Sequence, residues 1–125
     1  KVRRVILCSG KVYFDLLAER RKRRIDDVAI LRVEQLYPFP FASLTKELTL
    51  YPGAEVVWCQ EEPENMGAWF FADRRIERVL AGLNVKATRP IYIGRPESAS
   101  TATGSARTHV KEQAELVDRA LALPA

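Results

Sequence analysis

An α/β fold, specifically a three-layer α/β/α sandwich around a mainly parallel sheet, is the architecture this sequence predicts. Two patterns predict it. Short runs rich in β-branched residues alternate with segments of helical periodicity, strand then helix, four times over. The runs are continuously apolar rather than alternating, as in strands whose two faces are both covered. Right-handed crossovers leave few topologies, and the order expected is 2-1-3-4, with the switch point between the first and third strands.

The elements follow in order. The first strand is expected at residues 5–8 and the first helix at 11–24, with Tyr13, Leu16 and Leu17 on one side. That helix ends in Arg20-Arg21-Lys22-Arg23-Arg24, where cations face the exposed carbonyls and the negative end of the dipole. The second strand spans 28–33. A shorter helix at 41–50 starts after Pro40, carries Phe41, Leu44 and Leu48 at helical spacing, and stops at Tyr51-Pro52-Gly53. The third strand, 55–59, precedes a helix at 65–81 with Met66, Trp69, Phe70, Ile76, Val79 and Leu80 turned inward and Gly82 as its stop. The fourth strand, 90–94, leads through an irregular stretch to a last helix at 105–123, with Ser105 as N-cap and Ala106, Val110, Ala114, Val117 and Leu121 on one face.

The 125 residues suit a single domain, 1–125, and the chain opens at Lys1 straight into a strand, so a domain cut from a longer polypeptide is expected. Hydrophobic residues at 47% and charged ones at 29% exclude a disordered chain. The net charge of +4 invites a nucleic-acid reading. Much of the excess sits in the 20–24 run, however, with no aromatic platform beside it, so a solvated helix end is the better reading and no nucleic acid is expected. No apolar stretch approaches the roughly 20 residues that cross a bilayer, so no membrane is expected either. Cys8 and Cys59 each end an apolar run and read as buried thiols of a reducing, cytoplasmic compartment, with no metal-ligand spacing.

Four features carry candidate chemistry. Glu61 and Glu62 follow the third strand, but adjacent residues at a strand tip point apart and make a poor acid/base pair. They read better as a helix cap and a contact to a neighbouring domain or subunit, in company with Asn65 and Trp69. Ser9-Gly10 joins the first strand to its helix, where free N–H groups can hold an anion or Gly10 simply makes the turn. After the fourth strand, Arg95 with Ser98 and Ser100 can bind a phosphate or carboxylate effector, or pack the connection on a partner chain. His109 lacks a nucleophile or fellow ligands and reads as structural. Trp58, Trp69, Phe70 and Phe71 exceed what one turn can bury, which points to burial against another domain.

Five blocks carry a resemblance: residues 8–17 (CSGKVYFDLL), 32–40 (RVEQLYPFP), 58–69 (WCQEEPENMGAW), 94–100 (GRPESAS), and His109 with Glu112-Gln113. In this order, over essentially the whole chain, they resemble the C-terminal domain of the thiamine diphosphate-dependent decarboxylating component of bacterial 2-oxoglutarate dehydrogenase. The family more often has proline where Thr101 stands, which leaves this loop less rigid. The resemblance implies a transketolase C-terminal-domain-like fold. It also implies a parent that decarboxylates 2-oxoglutarate on thiamine diphosphate and Mg²⁺ and passes the succinyl group to the lipoyl arm of a succinyltransferase component. In that family the cofactor lies in the preceding domains, whose GDG…N signature is absent here. No catalytic, cofactor or metal residue is therefore expected in this chain. The implied roles are packing on the preceding domains and a homodimer mate, the rim of the active-site funnel, and an effector site at Arg95. The alternative reading is a free-standing flavodoxin-like module for a nucleotide or acyl-coenzyme A.

Overall fold

The computed structural model describes residues 1–98 and 106–122. Its elements run β1 (Arg4–Cys8), α1 (Val12–Lys22), β2 (Val28–Arg32), α2 (Phe41–Thr49), β3 (Glu55–Pro63), α3 (Trp69–Ala81), β4 (Ile91–Arg95) and α4 (Ala106–Leu121). The four strands form one sheet in the order β2-β1-β3-β4, and every pairing is parallel. This is the order the sequence predicts.

Alternate residues of the central strands feed two separate cores. Val5, Leu7, Val56 and Trp58 meet α2 and α3 through Leu44, Leu48, Trp69, Ala72 and Ile76. Ile6, Cys8, Val57 and Cys59 meet α1 and α4 through Val12, Leu16, Leu116, Val117 and Leu121. Two covered faces explain why the strand runs are apolar at every position. At the amino edge of the sheet, Arg3 donates to the carbonyls of Leu121 and Ala122, and Arg4 to those of Arg119 and Ala120. The last turn of a helix has no partners of its own for these groups, so the two arginines cap α4.

Three expectations need correction. β3 does not stop at Cys59 but runs through Glu61 and Glu62 to Pro63, with its pairing to β4 shifting irregularly between Cys59 and Pro63. α3 starts at Trp69 rather than Asn65, because residues 64–68 make a turn in which Gly67 takes φ +67°. Met66 therefore lies outside the helix, and Phe70 points outward, 60% exposed. In α4 the buried residues are Leu116, Val117, Ala120 and Leu121, whereas Val110 is 66% exposed and Ala106 and Ala114 are exposed. The inward side of the helix's first half is polar, for a reason given below. The proposed Ser105 cap lies outside the described residues. Among the described residues, no helix is long and apolar enough to cross a membrane.

Candidate functional site

The carboxyl edge of the sheet holds two polar assemblies, one on each face, divided by the alternation of β3 and β4. On the α2/α3 face the assembly is built around Gln60, 3% exposed. Its Oε1 accepts from Trp58 Nε1 at 2.9 Å. Its Nε2 donates to the carbonyls of Pro63 at 2.9 Å, Met66 at 2.8 Å and Glu62 at 3.2 Å. One carboxamide therefore ties the end of β3 to the turn that enters α3. Gly67 completes the turn: a Cβ there would lie 3.0 Å from Glu62 Oε1 and 3.2 Å from Gln60 Nε2. From β4, the Tyr92 hydroxyl donates to the Arg95 carbonyl at 2.6 Å, and burial pushes the phenol's pKa up to about 12. Gly94 is required beneath it, since a Cβ there would sit on the Tyr92 hydroxyl and 2.7 Å from the Gln60 carbonyl.

Beside this assembly opens a cleft of about 480 Å³, lined by Ser9, Gly10, Leu36, Tyr37, Trp58, Gln60, Glu62, Gly67, Ala68 and Phe71. It lies where β1 and β3 part, so Ser9-Gly10 and the Gln60–Glu62 segment meet as the switch-point argument expects. Its walls are mostly apolar, and Tyr37 stands 84% exposed at its mouth. Gln60, the buried polar group of the lining, is fully engaged with the turn. Among the described residues, Glu62 is the one carboxylate of the lining and Glu61 points to the other face, so no pair for proton transfer forms there.

On the α1/α4 face Arg95 is the centre, 7% exposed. It donates to the Glu61 carbonyl at 2.6 Å and to Gln113 Oε1 at 3.1 Å, and it reaches His109 Nδ1 at 3.3 Å. Its Nε stands 3.1 Å from Glu112 Oε1, an ion pair whose angle is too poor for a hydrogen bond. Gln113 continues to Asp15 on α1 at 2.8 Å. The Glu61 carboxylate takes Lys11 at 2.7 Å, and that bond raises the lysine's pKa. This network is why α4 turns His109, Glu112 and Gln113 inward ahead of its apolar half.

The residues singled out in the sequence are thus divided. Ser9, Gly10 and Glu62 line the cleft, whereas Arg95 and Glu61 belong to the network behind the sheet. Ser98 N–H donates to Asn65 Oδ1 while Asn65 Nδ2 donates to the Ser98 carbonyl, a reciprocal clasp between the turn and the loop after β4. Ser100 lies outside the described residues. Trp69 is buried against Tyr92, ring centroids 5.3 Å apart, so the aromatics open to a neighbour are Phe14, Tyr37 and Phe70. At the α1 N-terminus, Gly10 N–H faces Glu34 Oε2 at 3.4 Å, and Arg32 together with this contact holds that carboxylate below its usual pKa range. The anion position there is filled from within the chain. Cys8 and Cys59 are register partners on β1 and β3, free, and pushed up to about 12 chiefly by burial.

The roles of Gln60, Gly67, Tyr92 and Gly94 escaped the sequence reading. The signal for Gln60 was present: it falls in step with Val56 and Trp58, at a strand position where a polar side chain needs internal partners. Among the described residues, no group of three or more His, Cys, Asp or Glu comes together as metal ligands.

Residues 1–121 match the family described as 2-oxoglutarate dehydrogenase C-terminal. The chain is similar to the 2-oxoglutarate dehydrogenase E1 components of Brucella anthropi and Brucella ovis, 57% identical to each over 121 residues. Those residues are 97% of this chain and 12% of each relative, so the chain spans about an eighth of the length of the curated relatives it matches.

Proposed function

From the premise that the chain belongs to the 2-oxoglutarate dehydrogenase C-terminal family, we propose that it serves as the C-terminal domain of a longer, cytoplasmic, thiamine diphosphate-dependent decarboxylase of 2-oxoglutarate. In this reading the segment packs against preceding domains and a homodimer mate and frames an active site that it does not itself complete. The parent hands its succinyl group to a lipoyl succinyltransferase component. The observation that carries the reading is how the carboxyl-edge polar groups are used. Gln60, Arg95, Glu61 and Tyr92 are all committed to holding the turn, the loop and α4.

Thiamine diphosphate and Mg²⁺ do not fit this edge. A magnesium diphosphate needs a set of oxygen ligands around the metal and donors for the phosphates. Here the Glu61 carboxylate holds Lys11 and the Arg95 guanidinium holds α4. Cofactor chemistry is therefore assigned to the preceding domains.

The test is direct. The purified chain, given 2-oxoglutarate, thiamine diphosphate and Mg²⁺, is expected to show no decarboxylation. A parent polypeptide lacking the segment that matches 1–121 is expected to lose its dimer and its activity together. Turnover by the chain alone overturns the reading, as does a full-strength parent without the segment.

A second proposal concerns an anionic effector such as AMP or an acyl-coenzyme A. Gly10 N–H and the Arg32–Glu34 pair already place a carboxylate at the α1 N-terminus. An effector would have to displace it, or draw Arg95 out of its network. Calorimetric titration with both ligands, using Arg95→Ala as control, is expected to give heat that the variant loses. No heat with either ligand removes this proposal. The free-standing flavodoxin-like module gives way to family membership.

A further inference from the structure

Among the described residues, the exposed aromatics are gathered at one edge of the sheet. Phe14 stands on the first turn of α1, Tyr37 between β2 and α2, and Phe70 on the first turn of α3, all at the carboxyl ends of the strands. The exposed aliphatics Leu50, Ile91 and Val110 lie apart, at the end of α2, at the start of β4 and on α4. Apolar side chains scattered singly need no partner, whereas grouped ones mark a contact. The three rings surround the cleft. Tyr37 belongs to its lining, Ser9 and Gly10 lead from it into α1, and Phe70 adjoins Phe71 of its wall. Phe14 is held edge-on to Tyr13, ring centroids 5.3 Å apart, with the Arg32 guanidinium over both rings. Glu62, exposed, is the one charged residue of the lining.

We propose that this cleft and its aromatic rim are the face on which preceding domains of a longer polypeptide dock. The docking segment lays an aliphatic or aromatic side chain in the cleft and sets a lysine or arginine against Glu62. This rests on the reading of the chain as a C-terminal domain, whose relatives extend far beyond it: the matched residues are 12% of each. The cleft chooses the chemistry. Its walls offer apolar and aromatic surface, and the carboxylate at their margin calls for a cation. A second copy of this chain is the poorer occupant, because an isologous pair of clefts brings two Glu62 carboxylates towards one axis.

Hydroxyl-radical footprinting reads ring exposure in the 125-residue chain and in the full-length parent, with rates normalised for each ring's intrinsic reactivity. In the chain alone, Phe14, Tyr37 and Phe70 are expected to label freely while the buried Trp58 does not. In the parent the three rings are expected to lose most of that labelling and approach the level of Trp58. Labelling at the chain-alone rate sinks the proposal. If Leu50 or Val110 is protected in their stead, the C-terminal-domain reading stands and only the docking face is lost; if no position is protected, both fall. Protection that grows with concentration in the chain alone assigns the cleft to a second copy and overturns the proposal as well. Tyr37→Glu combined with Phe70→Glu in the parent is expected to return Phe14 to its chain-alone rate. The same pair should leave the melting of the chain alone unchanged, since both side chains stand in solvent. Phe14 still protected in that variant counts against the proposal.

Discussion

The two faces of the sheet meet the same problem at the same edge and solve it with opposite materials. On the α2/α3 face the solution is neutral and local: Trp58, Gln60, Pro63 and Met66 lie within nine residues of sequence and satisfy one another, with Trp58 and Gln60 almost fully buried. On the α1/α4 face it is charged and long-range, joining Asp15, Glu61, Arg95, His109, Glu112 and Gln113. A neutral buried hub gives stability that ignores salt and mild acid. A charged hub with partly exposed partners gives less, and salt can screen what it gives.

Three experiments press on this contrast. The largest effect is expected where the two faces share a residue. Gly94→Ala drives a methyl onto the Tyr92 hydroxyl and the Gln60 carbonyl, and the carbonyl is backbone that cannot step aside. A loss of about 3 kcal/mol or more, or failure to fold, is expected in urea melts. Next comes a direct contest between the hubs. Gln60→Leu removes the partner of a buried indole N–H and of the Met66 carbonyl, while the Glu62 and Pro63 carbonyls keep the Tyr92 hydroxyl and the Met66 N–H, and it is expected to cost about 2–4 kcal/mol, unchanged by salt. Arg95→Met leaves His109, Glu112 and Gln113 with access to water, so about 1–2 kcal/mol is expected, shrinking as salt rises. The reverse ranking, or a salt effect at Gln60, would break the comparison.

The smallest effect per group is alkaline. Cys8 and Cys59 have folded pKa values raised to about 12 from 9.0, so the fold prefers the neutral thiols. Their contribution is whole below about pH 9, where both states hold the proton, and it is lost as pH rises towards 12 because the unfolded chain ionises first. Roughly 1 kcal/mol per thiol is expected to vanish between about pH 8 and about pH 10. Paired Cys→Ala changes should flatten that slope. An equally steep loss in the paired variant would assign it to Tyr92, whose phenol is shifted the same way.

Much of the architecture was legible because apolar continuity reports two-sided burial regardless of context. Strand order followed from crossover geometry, and both Cys8 and Cys59 sit buried where their runs end. The far end of β3 was hidden because its pairing continues through Gln60, Glu61 and Glu62, polar residues whose partners come from elsewhere in the chain. The inward side of α4 was misjudged for a related reason. Ala106, Val110 and Ala114 form an apolar stripe in the sequence, whereas the helix is oriented by Arg95, and only a residue from β4 reveals that His109 and Gln113 face in. Polar burial is set by pairs, and pairs are invisible to a count along one segment.

Arg3 and Arg4 grip the carbonyls at the tail of α4, and this has a bearing on how the piece is mounted. Residues 3 and 122 lie side by side on the edge of the sheet opposite the cleft. The cleft, with Tyr37 at its mouth, opens at the carboxyl edge of the sheet, so the grip on α4 and the cleft occupy opposite ends of the strands.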